Sequence, residues 1–202
     1  MRPDIQEERQ KQMEKSALVV VDMVHDFTQP GGRVFYPQNE QVLPGINTAI
    51  DMARGAGAVI VFMQHRYRQG KYDKTLTTGM RPCCLEGSGG EALDERLHRE
   101  PDDYVIPKRR YSAFYGTDLD LVLREHGVTQ VVVVGTKTNC CIRATVNDAY
   151  HLAYNVVVVR QCVATDDDAV NAMHLTDIEK YLGRVVDLDA LPAVLAEEKE
   201  RS

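Results

Sequence analysis

Uninterrupted aliphatic runs of strand length constrain this chain more than any other feature. Val131-Val132-Val133-Val134 and Val156-Val157-Val158-Val159 contain no polar residue, and Ala17 to Val21 and Ala58 to Met63 are equally continuous. A strand with one face in water alternates apolar and polar side chains, whereas a run without alternation is buried on both faces. Helical segments separate these runs. Val42 to Arg54 lines up Leu43, Ile46, Ile50 and Ala53 on one stripe, and Leu119 to Glu125 ends at Gly127. A further helix is expected from about Cys141 to Ala153, with Ile142, Val146, Ala149 and Ala153 on its buried face, and another from Ala169 to Leu182. Tyr104 to Ile106 reads as a short strand halted by Pro107, Glu91 to His98 as a short helix, and Arg184 to Val186 as the last strand. The alternation predicts a doubly wound α/β fold: a mostly parallel, six-stranded, Rossmann-like sheet with helices on both faces.

The 202 residues, 44% hydrophobic and 27% charged, suit one domain over 16–202 behind a polar leader at 1–15. That leader has no apolar core of the secretory kind, and no run approaches the roughly 18 to 20 apolar residues of a membrane span. With a net charge of -6 and no basic run, the chain is expected to bind neither nucleic acid nor membrane. A cytoplasmic protein with a small-molecule partner is the expectation. Five cysteines, at 83, 84, 140, 141 and 162, form neither a C-x-x-C motif nor a zinc spacing, so reduced thiols are expected.

In open parallel sheets, ligands bind beyond the carboxyl ends of the strands. Asp22 follows the first strand, Gln64-His65-Arg66 the second, Lys108 the third, and the run Gly135 to Cys141 the fourth. Cys141 stands where a loop turns into a helix. Unpaired amides and the helix dipole there would lower a thiol pKa and could hold an oxyanion. A small buried core cysteine would satisfy the same pattern. Asp22 could act as a general base or merely cap a loop, and Lys108 could belong to a solvated basic turn. Together, an acid, a lysine and a thiol on one rim describe a nucleophilic site.

Four ordered blocks carry a family resemblance over Ala17 to Leu188. They are Leu18-Val19-Val20-Val21-Asp22-Met23-Val24-His25-Asp26-Phe27, Pro82 to Gly90, Ile106-Pro107-Lys108-Arg109-Arg110-Tyr111-Ser112-Ala113-Phe114, and Gly135-Thr136-Lys137-Thr138-Asn139-Cys140-Cys141-Ile142-Arg143-Ala144-Thr145. The sequence resembles the isochorismatase-like superfamily, the cysteine hydrolases. The resemblance implies a catalytic triad of Asp22, Lys108 and Cys141, with Cys140 at a variable position. It also implies a non-proline cis peptide between Thr136 and Lys137, which would aim the amides of Lys137 and Cys141 at an oxyanion. A homo-oligomer, dimer or tetramer, is implied as well.

Within that superfamily, nicotinamidases carry an Asp-x-His metal site after the second strand. Gln64-His65-Arg66 lacks the aspartate, so neither metal nor other cofactor is expected. The stretch from Lys108 to Arg143 is similar to amidohydrolases of N-carbamoyl and ureido compounds, which implies cleavage of a C–N bond through a thioester with release of ammonia. Phe27, Gln64, Tyr111 and Phe114 are candidate pocket residues, although core packing accounts equally for the aromatic ones. Arg66, Arg109 or Arg143 could meet a substrate carboxylate. The rival readings are a non-hydrolytic oligomeric scaffold and a redox protein using Cys140-Cys141. Strained geometry between adjacent cysteines counts against the latter. Nucleotide binding is weak, as no G-x-G-x-x-G follows the first strand.

Overall fold

A computed structural model describes residues 12–13, 15–68, 82–196 and 198–199. Among them, six strands form one parallel sheet: β2 (Ser16–Val21), β3 (Val59–His65), β4 (Tyr104–Lys108), β5 (Gln130–Thr136), β6 (Asn155–Ala164) and β7 (Arg184–Val186), in the order β4-β3-β2-β5-β6-β7. A separate antiparallel pair joins β1 (Gln12–Met13) to β8 (Glu198–Lys199). Most of the expected leader lies outside the described residues.

The uninterrupted aliphatic runs are buried on both faces. Ala17, Val19, Val21, Val61, Met63, Val131, Val133, Val156 and Val158 share one core with α4 (Leu119–Glu125), α5 (Arg143–His151) and α6 (Asp168–Tyr181). Leu18, Val20, Ile60, Phe62, Val132, Val134, Val157 and Val159 face the other, covered by α3 (Leu43–Gly55) and α7 (Leu191–Leu195). Each fully buried valine or leucine contributes roughly 1.5–3 kcal/mol. Two short helices, α1 (His25–Thr28) and α2 (Pro37–Gln41), follow β2 in the chain before α3. No described helix is long and apolar enough to cross a membrane.

The chain starts in the middle of the sheet at β2, builds outward through β3 and β4, then returns beside β2 with β5. The β2/β5 boundary is therefore the topological switch point, where a crevice opens beyond the strand ends. The two strands approach closely there. Gly135 has φ +113°, and a side chain on it would overlap the Val21 carbonyl oxygen.

Several local expectations need correction. Pro107 does not stop β4, which runs to Lys108; β4 is an edge strand, so the missing N–H leaves no ladder bond unmade. Strand β6 does not end at Val159. Arg160 and Gln161 bulge outward to solvent, and the strand resumes against Gly135 and Thr136. Glu91 to His98 is not a helix. Asp94 accepts from the Arg96 amide at 3.0 Å and from the Thr28 hydroxyl at 2.6 Å, local bonds that compete with a helical ladder. The helix expected at Cys141 begins earlier, as a π-turn over Thr138–Ile142, and Ala153 leaves it exposed with φ 63°.

Candidate active site

Asp22 leaves β2 with φ 57°, a left-handed conformation that aspartate tolerates better than most residues. Its amide donates to the Met63 carbonyl at 3.0 Å, which ties the turn to β3. The side chain is fully buried. Its Oδ2 lies 2.7 Å from Lys108 Nζ, an ion pair with both side chains at 0% exposure. Lys108 Nζ also donates to the carbonyls of Arg110 at 2.9 Å and Tyr111 at 3.1 Å, so the three ammonium protons have three acceptors. The loop carrying those carbonyls is itself tied down, because Thr145 Oγ1 accepts from the Ala113 amide at 2.9 Å.

Cys141 lies on the π-turn beyond β5, 5% exposed, with its sulfur within 4.8 Å of an Asp22 carboxylate oxygen and a His65 ring nitrogen. The structure thus brings together Asp22, Lys108 and Cys141 at the switch point, on the side of the sheet that holds Val21 and Met63. Asp22 Oδ1 has no hydrogen-bond partner among the described residues, which leaves it free to accept a proton. Cys140, one residue earlier, is only half-buried, and the charges that act on its thiol are those of Lys137 and Asp166.

The electrostatics follow from burial opposed by pairing. Burial alone would raise the Asp22 carboxyl, but Lys108 and His65 outweigh it and hold the pKa below the usual value. Burial would likewise lower the Lys108 ammonium; the ionised Asp22 carboxylate outweighs it and holds the pKa above its usual value. Burial pushes the Cys141 thiol upward, Lys108 opposes this in part, and Asp22 adds to it. The expectation of a lowered thiol pKa is therefore corrected: removal from water outweighs the position at a helix start. The resting arrangement is a neutral thiol beside an ionised carboxylate.

His65 is the residue that sequence reasoning passed over. It is 3% exposed, with Nδ1 3.4 Å from Asp22 Oδ2 and 3.3 Å from Lys108 Nζ. Since Lys108 already has three acceptors, Nδ1 carries the proton and donates to Asp22, which leaves the buried Nε2 as a bare acceptor. Burial first, then Lys108, keeps the imidazole neutral with a lowered pKa. A usable signal was present: His65 has the same strand parity as Val61 and Met63 and pairs in register with Lys108. Gln64 has the opposite parity, and its side chain donates to the Glu91 carbonyl at 2.8 Å instead of joining the cluster.

The remaining candidates divide. Phe27 packs edge-on to His65 at 6.2 Å, and Tyr67, which the sequence did not single out, does so at 4.6 Å. Tyr111 is 48% exposed and holds Lys108 through its carbonyl. Phe114 stacks on Tyr154 at 5.8 Å, at the edge of the core. The Thr136–Lys137 peptide is cis. Tyr36, another residue without a sequence signal, bonds the Thr136 hydroxyl and donates to the Ala164 carbonyl at 3.2 Å. Lys137 Nζ pairs with Asp166 at 2.6 Å. Cys83 and Cys84 are buried with Val24, Phe27 and Val34, where the Cys84 amide donates to Asp26 at 2.6 Å.

Asp22, His65 and Cys141 are also the set of described residues that could converge on a metal ion. The fit is poor, because the Lys108 ammonium already faces both the Asp22 and the His65 donor atoms. A divalent cation would sit against that charge.

An isochorismatase domain model matches residues 16–190. The chain belongs to the isochorismatase family. Among curated proteins, it is 30% identical over 172 residues to a probable inactive nicotinamidase of Arabidopsis thaliana, covering 81% of this chain and 88% of that one. An isochorismatase family protein from Desulfovibrio vulgaris superposes with TM-score 0.84 at 30% identity, over 91% of this chain and 100% of that chain. An N-carbamoylsarcosine amidase from Thermoplasma acidophilum is 31% identical with TM-score 0.76, over 87% and 97% of the two chains. The six-stranded parallel sheet is the fold shared with these isochorismatase-like structures.

Proposed function

We propose that this member of the isochorismatase family is a cysteine amidohydrolase that cleaves the C–N bond of a small amide, ureido or N-carbamoyl compound. One observation carries the reading: a thiol, an ionised carboxylate and an ammonium group are buried together at the strand-end crevice, with a free carboxylate oxygen. Burying charged groups costs stability even when they are paired, and titratable groups with perturbed pKa values cluster at reactive sites.

In the proposed reaction, Asp22 Oδ1 removes the Cys141 proton as the sulfur adds to the substrate carbonyl. Because the thiol pKa is raised, thiolate forms only as the new C–S bond consumes it. The amides of Lys137 and Cys141 receive the oxyanion, and Lys108 keeps Asp22 ionised before attack. When the C–N bond breaks, Asp22 returns the proton to the leaving amine, and ammonia departs for an unsubstituted amide or carbamoyl group. Water, deprotonated by Asp22, then hydrolyses the thioester and restores the thiol. The likeness to an N-carbamoylsarcosine amidase supports the substrate class.

A silent binding protein is the second reading, favoured by the likeness to a probable inactive nicotinamidase. The decisive assay is ammonia release from nicotinamide, N-carbamoylsarcosine, biuret and ureidoacrylate by wild type, Cys141→Ala and Cys140→Ala. Release from one substrate that is lost with Cys141→Ala and kept with Cys140→Ala is the expected result. Release that survives Cys141→Ala removes the nucleophile assignment, and no release from any of the four favours the silent reading.

A further inference from the structure

The sequence offered Arg66, Arg109 and Arg143 as candidates for a substrate carboxylate. Arg143 is engaged elsewhere, paired with Asp177 at 2.5 Å. Arg66 and Arg109 meet at a different place. Together with Arg68 they line a cavity of about 250 Å³ at the β4 edge of the sheet, which Ile106 and Pro107 also line. Its remaining walls are Glu86 and the turn Gly116–Thr117–Asp118, and it includes none of Asp22, His65, Lys108 or Cys141.

We propose that this cavity binds a small organic anion, carboxylate or phosphate, at a site separate from Cys141. Three guanidinium groups face two carboxylates there, on a chain whose net charge is -6. Arg66 contacts Glu86 at 3.6 Å, but the side chains are 39% and 50% exposed, so the pair is screened and weak. Arg68 and Arg109 make no side-chain hydrogen bond or ion pair among the described residues. Guanidinium forks match carboxylate and phosphate oxygens in bidentate geometry, which gives unpaired arginines at one cavity a specific complement. The volume lies just below the roughly 300–1,000 Å³ of drug-sized pockets, so the ligand is small. The site also abuts the candidate centre through the backbone. Arg66 and Arg109 directly follow His65 and Lys108, and the Arg66 amide donates to the Lys108 carbonyl at 2.9 Å.

The inference does not depend on the hydrolase reading, and its test is a binding measurement. Inorganic phosphate and succinate are titrated calorimetrically at constant ionic strength into wild type, Cys141→Ala and the double variant Arg68→Gln/Arg109→Gln. Circular dichroism verifies that each variant is folded. Saturable binding of at least one anion is expected, unchanged in Cys141→Ala and weaker by on the order of tenfold or more in the double variant. The anion bound more tightly identifies the headgroup. Equal affinity in the arginine variant, loss of binding in Cys141→Ala, or no saturable binding of either anion overturns the proposal.

Discussion

Replacing Lys108 with methionine isolates the charge balance on which the site rests. The substitution keeps most of the buried volume but leaves Asp22 without its cation, at 0% exposure. Burial then acts on the carboxyl almost unopposed, and its pKa moves from below 3.8 to above it. Breaking a buried ion pair by removing one partner costs roughly 3–5 kcal/mol. For a chain of this size, the loss corresponds to a fall of about 6–20 °C in melting temperature. The sign with pH is specific. In wild type the depressed Asp22 contributes stability above its unfolded pKa, and this is lost as the pH falls through the folded value. In Lys108→Met the raised carboxyl does the opposite, gaining stability as the pH falls through its folded pKa. The gap between the two proteins therefore narrows from pH 7 to pH 4. Adding Asp22→Asn to Lys108→Met should recover most of the loss. Urea unfolding at several pH values, with m compared alongside the midpoints, reads all of this. A loss under about 1 kcal/mol, or additivity of Asp22→Asn and Lys108→Met, would refute the reasoning.

Further consequences follow for the groups around the pair. His65 has a depressed pKa, so wild type should lose stability as the pH falls from the unfolded value of 6.5 toward the folded one. His65→Gln should flatten that part of the stability curve; an unchanged slope between pH 7 and 5 contradicts the buried neutral imidazole. Gly135→Ala places a methyl group on the Val21 carbonyl at a positive φ, at a cost of about 3–5 kcal/mol from strain plus overpacking. A urea midpoint matching wild type would show that the β2–β5 approach is looser than described. Tyr36→Phe removes the hydroxyl bonded to Thr136 and Ala164 and should lower turnover more than it lowers the melting temperature. Equal melting and activity with wild type would leave Tyr36 a packing residue alone.

The architecture was legible because aliphatic continuity has a single physical meaning. Val131–Val134 and Val156–Val159 could be buried only with helices on both sides. The strand-end rule put Asp22, Lys108 and Cys141 on one rim, and only the family resemblance singled them out as a triad. What escaped were outcomes decided by neighbours distant in sequence. Pro107 is tolerated because β4 is an edge, a property of the finished sheet. Glu91–His98 has helical composition, but Asp94 is captured by Thr28, 66 residues away. The thiol pKa was read from a helix start alone, whereas burial at the switch point decides its direction. Tyr36 reaches Thr136 across 100 residues, with no local pattern to announce it. His65 was within reach, because strand parity separates it from Gln64, but histidine was weighed as a metal ligand and not as a partner of Asp22.

The account stands most directly on a covalent bond at Cys141. A substrate found by ammonia release would be mixed with enzyme, quenched in acid within the first turnover, and read by intact mass and peptide mapping. An adduct equal to the acyl fragment, carried by the peptide at Cys141 and absent from Cys141→Ala, is the predicted result. Turnover with no adduct at any quench time, or an adduct on Cys140, would contradict it.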